Sequence, residues 1–151
     1  MTDRPQIVEQ ITPDREYTVD DFVWQGKWFI TESKVMRTIN YHTVPTCPSY
    51  LHQLMERYGA DSLSMFASID EYTANGMGWH SDDKDVYAVN LVGTTEWVFG
   101  TAEKEWYLLA RPYDVIYVPM GIQHRVNVRT DERITVSFVC PVDQKYNLSV
   151  E

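Results

Sequence analysis

His80, Asp82 and His124 are the residues of this chain whose types and spacing suit a metal ion. Imidazole and carboxylate are both good donors to a divalent first-row cation, and three of them on one side leave the opposite side open. Open neighbouring positions are what Fe(II) needs when a co-substrate and O2 must reach the same ion. In an extended segment residues i and i+2 project to one side, so His80 and Asp82 can share an ion while Ser81 points away. An H-x-D triplet alone is common. Here it follows Gly76-Met77-Gly78-Trp79, and His124 closes a Pro-x-Gly-x-x-His turn 44 positions later.

Such a set needs strands to carry it, and the chain supplies them. Segments 62–69, 78–82, 86–92, 96–100, 105–110, 114–118, 124–128 and 133–140 are short, rich in Val, Ile, Tyr and Trp, and separated by Gly, Asn, Asp or Pro turns. Ahead of them Leu51, Leu54, Met55 and Tyr58 form a helical stripe over 48–58, with Thr46 or Cys47 as cap, Pro48 in the first turn and Gly59 at the end. Residues 1–20 are polar, carry Pro5 and Pro13, and read as an extended arm with one short strand. Segment 23–30 alternates, with Phe22, Trp24, Trp28 and Ile30 on one side, and reads as a half-buried strand in which Gly26 marks a bulge or close approach. Segment 35–41 reads as a second strand. Eight short strands after a helix predict a mostly β chain, a double-sheet jelly roll with one or two short N-terminal helices. No cysteine pair with a central Trp supports an immunoglobulin-type sandwich.

A chain of 151 residues is the size of one domain, 1–151, divided into N-terminal strands and helix (1–60) and a β core (62–140). The net charge of −9 argues against a nucleic-acid partner, which would call for a basic stripe. No apolar run is long enough for a membrane span, and no leader pattern opens the chain. Cys47 and Cys140 lie far apart without metal-like spacing, so both read as free, structural thiols in a reducing cytoplasm. His42 and His52 have no partner at ligand spacing.

Two stretches carry a family resemblance. Gly76-Met77-Gly78-Trp79-His80-Ser81-Asp82, followed by 86–92, Gly93 and Trp97, resembles the first half of a Jumonji-C-like metal site of the cupin superfamily. Tyr113-Asp114-Val115-Ile116-Tyr117-Val118-Pro119-Met120-Gly121-Ile122-Gln123-His124 resembles the second half. Cupins commonly carry a second histidine and a glutamate in the first motif; here those positions are Asp82 and Val86, the pattern of the 2-oxoglutarate-dependent Fe(II) oxygenases. The resemblance covers roughly 62–140. It implies a cupin-like double-stranded β-helix, Fe(II) on His80, Asp82 and His124, and 2-oxoglutarate as co-substrate of a hydroxylase.

Jumonji-C-like enzymes often hold the far carboxylate of 2-oxoglutarate with a lysine two residues after the glycine, where this chain has Thr95. Arg133 is the expected replacement. Strand alternation puts Arg133, Thr135 and Ser137 on one face and Ile134, Val136 and Phe138 on the other, and a planar guanidinium can bond a carboxylate bidentately. The prolyl-hydroxylase branch resembles this, with a basic residue at a similar distance after the distal histidine. Its tyrosine ahead of the H-x-D strand is matched nearest by Tyr72. Asn90 shares parity with Asp82, Val86 and Ala88 and is expected to face the same cavity. The short spacing between His80 and His124 leaves little room for a substrate-binding insertion, which points to a small-molecule or protein side-chain substrate, or a homodimer completing the site. A second reading is a small metal-binding cupin that does not use 2-oxoglutarate, supported by Thr95 and by the turn that all cupins share. A third, an AlkB-like nucleic-acid demethylase, gains from Trp79-His80-Ser81-Asp82-Asp83. It loses on the acidic charge and the missing second arginine after Phe138.

Overall fold

The computed structural model describes residues 4–24, 27–28, 36–40, 49–68, 78–101 and 103–141. Strands β1 (Gln6–Gln10), β2 (Val23–Trp24), β3 (Lys27–Trp28) and β4 (Met36–Asn40) precede helix α1 (Ser49–Tyr58), with a 3-10 turn at Val19–Phe22. After α1 come β5 (Ser62–Ser68), β6 (Val86–Val92), β7 (Thr95–Gly100), β8 (Glu105–Ala110), β9 (Asp114–Val118), β10 (Gln123–Val128) and β11 (Arg133–Val139). One antiparallel sheet has the order β1-β9-β6-β11-β5-β4, and a second has β10-β7-β8. Early and late strands interleave: β11 lies between β6 and β5, and β10 lies beside β7. That is jelly-roll wiring, so the mostly β, cupin-like architecture expected from the sequence is the one observed.

Both faces of the large sheet are covered, and alternation along β11 shows how. Ile134, Val136 and Phe138 join Leu51, Leu54 and Met55 of α1 and Leu63, Met65 and Ala67 of β5 in one apolar cluster. The opposite parity, Arg133, Thr135, Ser137 and Val139, faces a cavity between the two sheets. A second cluster joins Val86, Ala88, Ile116 and Val118 of the large sheet to Trp97, Phe99 and Ala110 of the small one. The arm and α1 therefore cover the back of the sheet whose front carries the site. Burying each Leu or Met of α1 contributes about 1.5–3 kcal/mol before ordering costs are subtracted. Gly59, with φ of 67°, ends α1 as the sequence suggests. Beyond it the Ala60 N–H reaches back to the Met55 carbonyl at 2.9 Å, which satisfies an orphan acceptor.

Two expected strands are corrected. Segment 78–82 is not a strand; a single bridge, His80 with His124, extends the small sheet there. The following chain leaves the ladder because its acceptors are used by the β9–β10 turn. The Asp82 carbonyl accepts from the Gly121 N–H (2.9 Å), and Asp85 Oδ1 accepts from the Met120 N–H (2.9 Å). Segment 23–30 is not one strand either: β2 and β3 pair antiparallel with each other, Val23 with Trp28 and Trp24 with Lys27. Pairing of the two halves of the segment with each other outweighs the alternation. Gly26, Ile30, His42, Thr46, Cys47, Pro48 and Tyr72 lie outside the described residues. Cys140 is half-buried, its thiol bonds the Tyr58 carbonyl at 3.3 Å, and burial pushes its pKa up to about 11. Among the described residues no helix is long and apolar enough to cross a membrane.

Candidate metal centre

His80 and His124 face one another through backbone pairing. Each N–H donates to the other's carbonyl, at 3.0 and 2.8 Å. Directly opposed residues in an antiparallel pair project to the same face, so the two rings meet with centroids 4.3 Å apart. The same local device orients both rings. His80 Nδ1 lies 2.9 Å from the Gly78 carbonyl, and His124 Nδ1 lies 2.9 Å from the Ile122 carbonyl. A carbonyl only accepts, so each Nδ1 carries a proton, which in a neutral ring leaves the lone pair on Nε2. Asp82 Oδ2 stands 3.5 Å from His124 Nε2. One ligand atom from each of the three residues lies within 4.8 Å of the others, a group that can hold a metal ion. Two neighbouring ligands at about 2.1 Å from an ion stand about 3 Å apart, so the His124–Asp82 pair needs only a small closure.

His124 is 3% exposed, with the Trp97 ring stacked at 5.7 Å and Phe99 at 6.1 Å. Burial lowers its pKa most, and the nearby His80 adds to that; the Ile122 bond and Asp82 oppose it. The imidazole is therefore held in its neutral, metal-ligating form.

The cavity beside the three residues measures about 310 Å³, and Ser64, Phe66, Val86, Trp97, Val118, Val126, Arg133, Thr135 and Ser137 also line it. Arg133 is 5% exposed. Its Nη1 donates to Thr135 Oγ1 (3.2 Å), its Nη2 donates to Ser68 Oγ (3.1 Å), and its Nε has no partner among the described residues. The guanidinium lies over the Phe66 ring at 5.9 Å. Among the described residues the arginine–carboxylate pairs are Arg15–Asp21, Arg57–Glu9 and Arg129–Glu96; none neutralises Arg133. Burial draws its pKa down to about 10, which leaves it cationic at neutral pH. A buried charge without a counter-ion costs several kcal/mol, so this cavity favours an anion.

Of the other expected residues, Ser137 lines the cavity. Asn90 is 1% exposed but is not part of the cavity wall; its amide is spent on Thr135, Thr95 and Ala110. Thr95, at the position where a lysine was looked for, is wholly buried and accepts from Asn90 and from Trp97 Nε1. The sequence reading missed Ser64 and Ser68. Their signal is the alternation Ser62-Leu63-Ser64-Met65, but only the register, Ser64 opposite Ser137 and Ser68 opposite Arg133, brings them to the site.

No family model matches the sequence, and no curated protein matches it. Among solved structures the chain is similar to ycfD of Escherichia coli, at 16% identity over 76% of this chain and 35% of that one, with a TM-score of 0.53. It is also similar to oxalate decarboxylase from Bacillus subtilis, at 9% identity over 69% and 24% of the two chains, TM-score 0.50. A structure of YcfD, a ribosomal oxygenase from Escherichia coli, in complex with cobalt and succinic acid, matches at 19% identity over 67% and 30%, TM-score 0.47. The chain thus spans about a third or less of the length of these proteins. The first two likenesses are likenesses of fold, and that fold is cupin-like.

Proposed function

We propose that the protein is an Fe(II)- and 2-oxoglutarate-dependent dioxygenase, a hydroxylase of a small molecule or a protein side chain. One observation carries this reading: a buried Arg133 with no carboxylate partner among the described residues lines the same cavity as His80, Asp82 and His124. A ligand with a metal-chelating keto acid and a second carboxylate answers both halves of that cavity. His80 and His124 would hold the ion through Nε2, and Asp82 through its carboxylate. Iron bound there supplies O2 activation coupled to oxidative decarboxylation of the keto acid, which gives succinate and CO2 and oxidises the substrate. The chain's own groups do the rest. Arg133 binds the far carboxylate as a charge-assisted fork, in a cavity that Ser64 and Ser137 also line. Trp97, Val86, Val118 and Val126 keep water from the reacting centre and strengthen the electrostatics inside it.

Thr95 favours a second reading, a metal-binding cupin that does not use 2-oxoglutarate. The two are separated by adding Fe(II) and 2-oxoglutarate without oxygen and recording the visible spectrum. A metal-to-ligand charge-transfer band is expected. Arg133→Ala should need far more 2-oxoglutarate to develop it while binding metal as before. Fully iron-loaded protein that never shows the band would remove the co-substrate and leave the second reading standing.

A further inference from the structure

Five side chains from three strands, with the Ala110 carbonyl of a fourth, form one buried hydrogen-bonded line that ends at the cavity. Arg133 Nη1 donates to the Thr135 hydroxyl (3.2 Å), which donates to Asn90 Oδ1 (2.7 Å). Asn90 Nδ2 donates to Thr95 Oγ1 (2.9 Å) and to the Ala110 carbonyl (3.1 Å). Trp97 Nε1 donates to the same Thr95 oxygen (3.0 Å). The Ala110 carbonyl can only accept, so the amide has one allowed orientation: amine toward Ala110, oxygen toward Thr135. The single Thr135 proton is thereby committed to Asn90. Only lone pairs are left for the guanidinium.

We infer that Asn90 is a positioning residue for the anion anchor. By keeping Thr135 an acceptor, it holds the Arg133 guanidinium in one orientation toward the cavity, together with Ser68 on Nη2. The inference rests on the co-substrate role proposed for Arg133. Without the amide, the Thr135 hydroxyl rotates and the guanidinium loses one of its two hydrogen bonds to the described residues. Binding an anion must then also order the arginine, and affinity falls. Asparagine is required rather than aspartate. A carboxylate at position 90 would oppose the Ala110 carbonyl and, one hydroxyl away from Arg133, would supply the charge that the ligand otherwise brings.

The test is calorimetric titration of 2-oxoglutarate into Co(II)-loaded protein, with Co(II) affinity and melting temperature measured on each variant. Asn90→Ala, which frees the Thr135 hydroxyl, and Thr135→Val, which removes it, should each weaken 2-oxoglutarate binding about tenfold, the value of the charge-assisted Arg133–Thr135 bond that both disturb. Asn90→Asp should weaken it further, and Thr135→Ser, which keeps the hydroxyl, should stay within about twofold of the parent, well inside the value of that bond. Co(II) affinity should not change. Thr135→Val nearly preserves shape, so it carries the test if Asn90→Ala does not fold. Binding lost in Arg133→Ala but unaltered in Thr135→Val and Asn90→Ala would overturn the positioning role alone. Parent protein that binds no 2-oxoglutarate would overturn the co-substrate reading and this inference with it. Parallel loss of Co(II) and 2-oxoglutarate affinity would reduce Asn90 to a packing residue.

Discussion

At the scale of single residues, the candidate metal centre depends on two carbonyls as much as on three side chains. Gly78 and Ile122, each two positions before a histidine, hold the Nδ1 protons and so turn both Nε2 atoms to one point. The three candidate ligands differ in what else they do. Asp82 has a side chain 38% exposed, whereas His124 is packed among Trp97 and Phe99. Asp82→Ala should therefore abolish stoichiometric Co(II) binding with little change in melting temperature. His124→Ala should lose the metal and also lower stability by about 2–5 kcal/mol, as for other large-to-small truncations in a core. Metal titration alongside thermal unfolding checks both, and an Asp82→Ala protein that binds Co(II) as the parent does would remove Asp82 from the ligand set. Residue type and spacing were enough to single out His80, Asp82, His124 and Arg133 as candidates, and all four line one cavity. Ser64 and Ser68 were not legible, because a serine in a strand says nothing of which strand it will face.

Elements place these residues, and their turns are as specific as their strands. Gly93 joins β6 to β7 with φ of 82°, and a Cβ there would overlap the Glu132 carbonyl oxygen and the Thr130 hydroxyl. That contact locks the β6–β7 turn against the residues that lead into Arg133; the Thr94 N–H also bonds Thr130 Oγ1 at 3.1 Å. Gly93→Ala should destabilise the fold by roughly 2–4 kcal/mol, combining positive-φ strain with a backbone clash. Denaturant unfolding would read the loss, and an unchanged midpoint would mean that the turn has room the geometry denies. Alternation in β11 was readable from the sequence, and so was the helical stripe of α1, because both periodicities are local properties of the backbone. Segment 78–82 was misread for the opposite reason. Its alternation is real, but a strand needs a partner along its length, and the Asp82 carbonyl and Asp85 carboxylate are already engaged by the β9–β10 turn.

Over the whole molecule, the N-terminal arm and α1 close the back of the large sheet and are themselves clasped together. Glu9 of β1 accepts from Arg57 and, at 2.8 Å, from the Tyr58 hydroxyl, both of α1. The Arg57 hydrogen bond is the main reason that the Glu9 carboxyl lies below its ordinary 4.5, partly opposed by desolvation and aided by Tyr58. An acid whose pKa is lowered by folding contributes stability that is fully present above its ordinary pKa. That contribution disappears as pH falls through the lowered value. The parent should thus lose melting temperature on acidification below about pH 4.5 more steeply than Glu9→Gln does. Equal slopes would show that the pair is too solvated to matter, as exposed ion pairs often are.

The chain order alone determined the candidate donor set, the strand-rich core and the face of β11 that carries Arg133, since each follows from side-chain chemistry or from a repeat of two or 3.6 residues. Only the tertiary structure decided that His80 lies opposite His124, that Ser68 meets Arg133, and that Asn90 stands behind the cavity wall. These are matters of register between strands distant in sequence. Register is set by how whole sheets pack and turns close, which no local pattern of residues encodes.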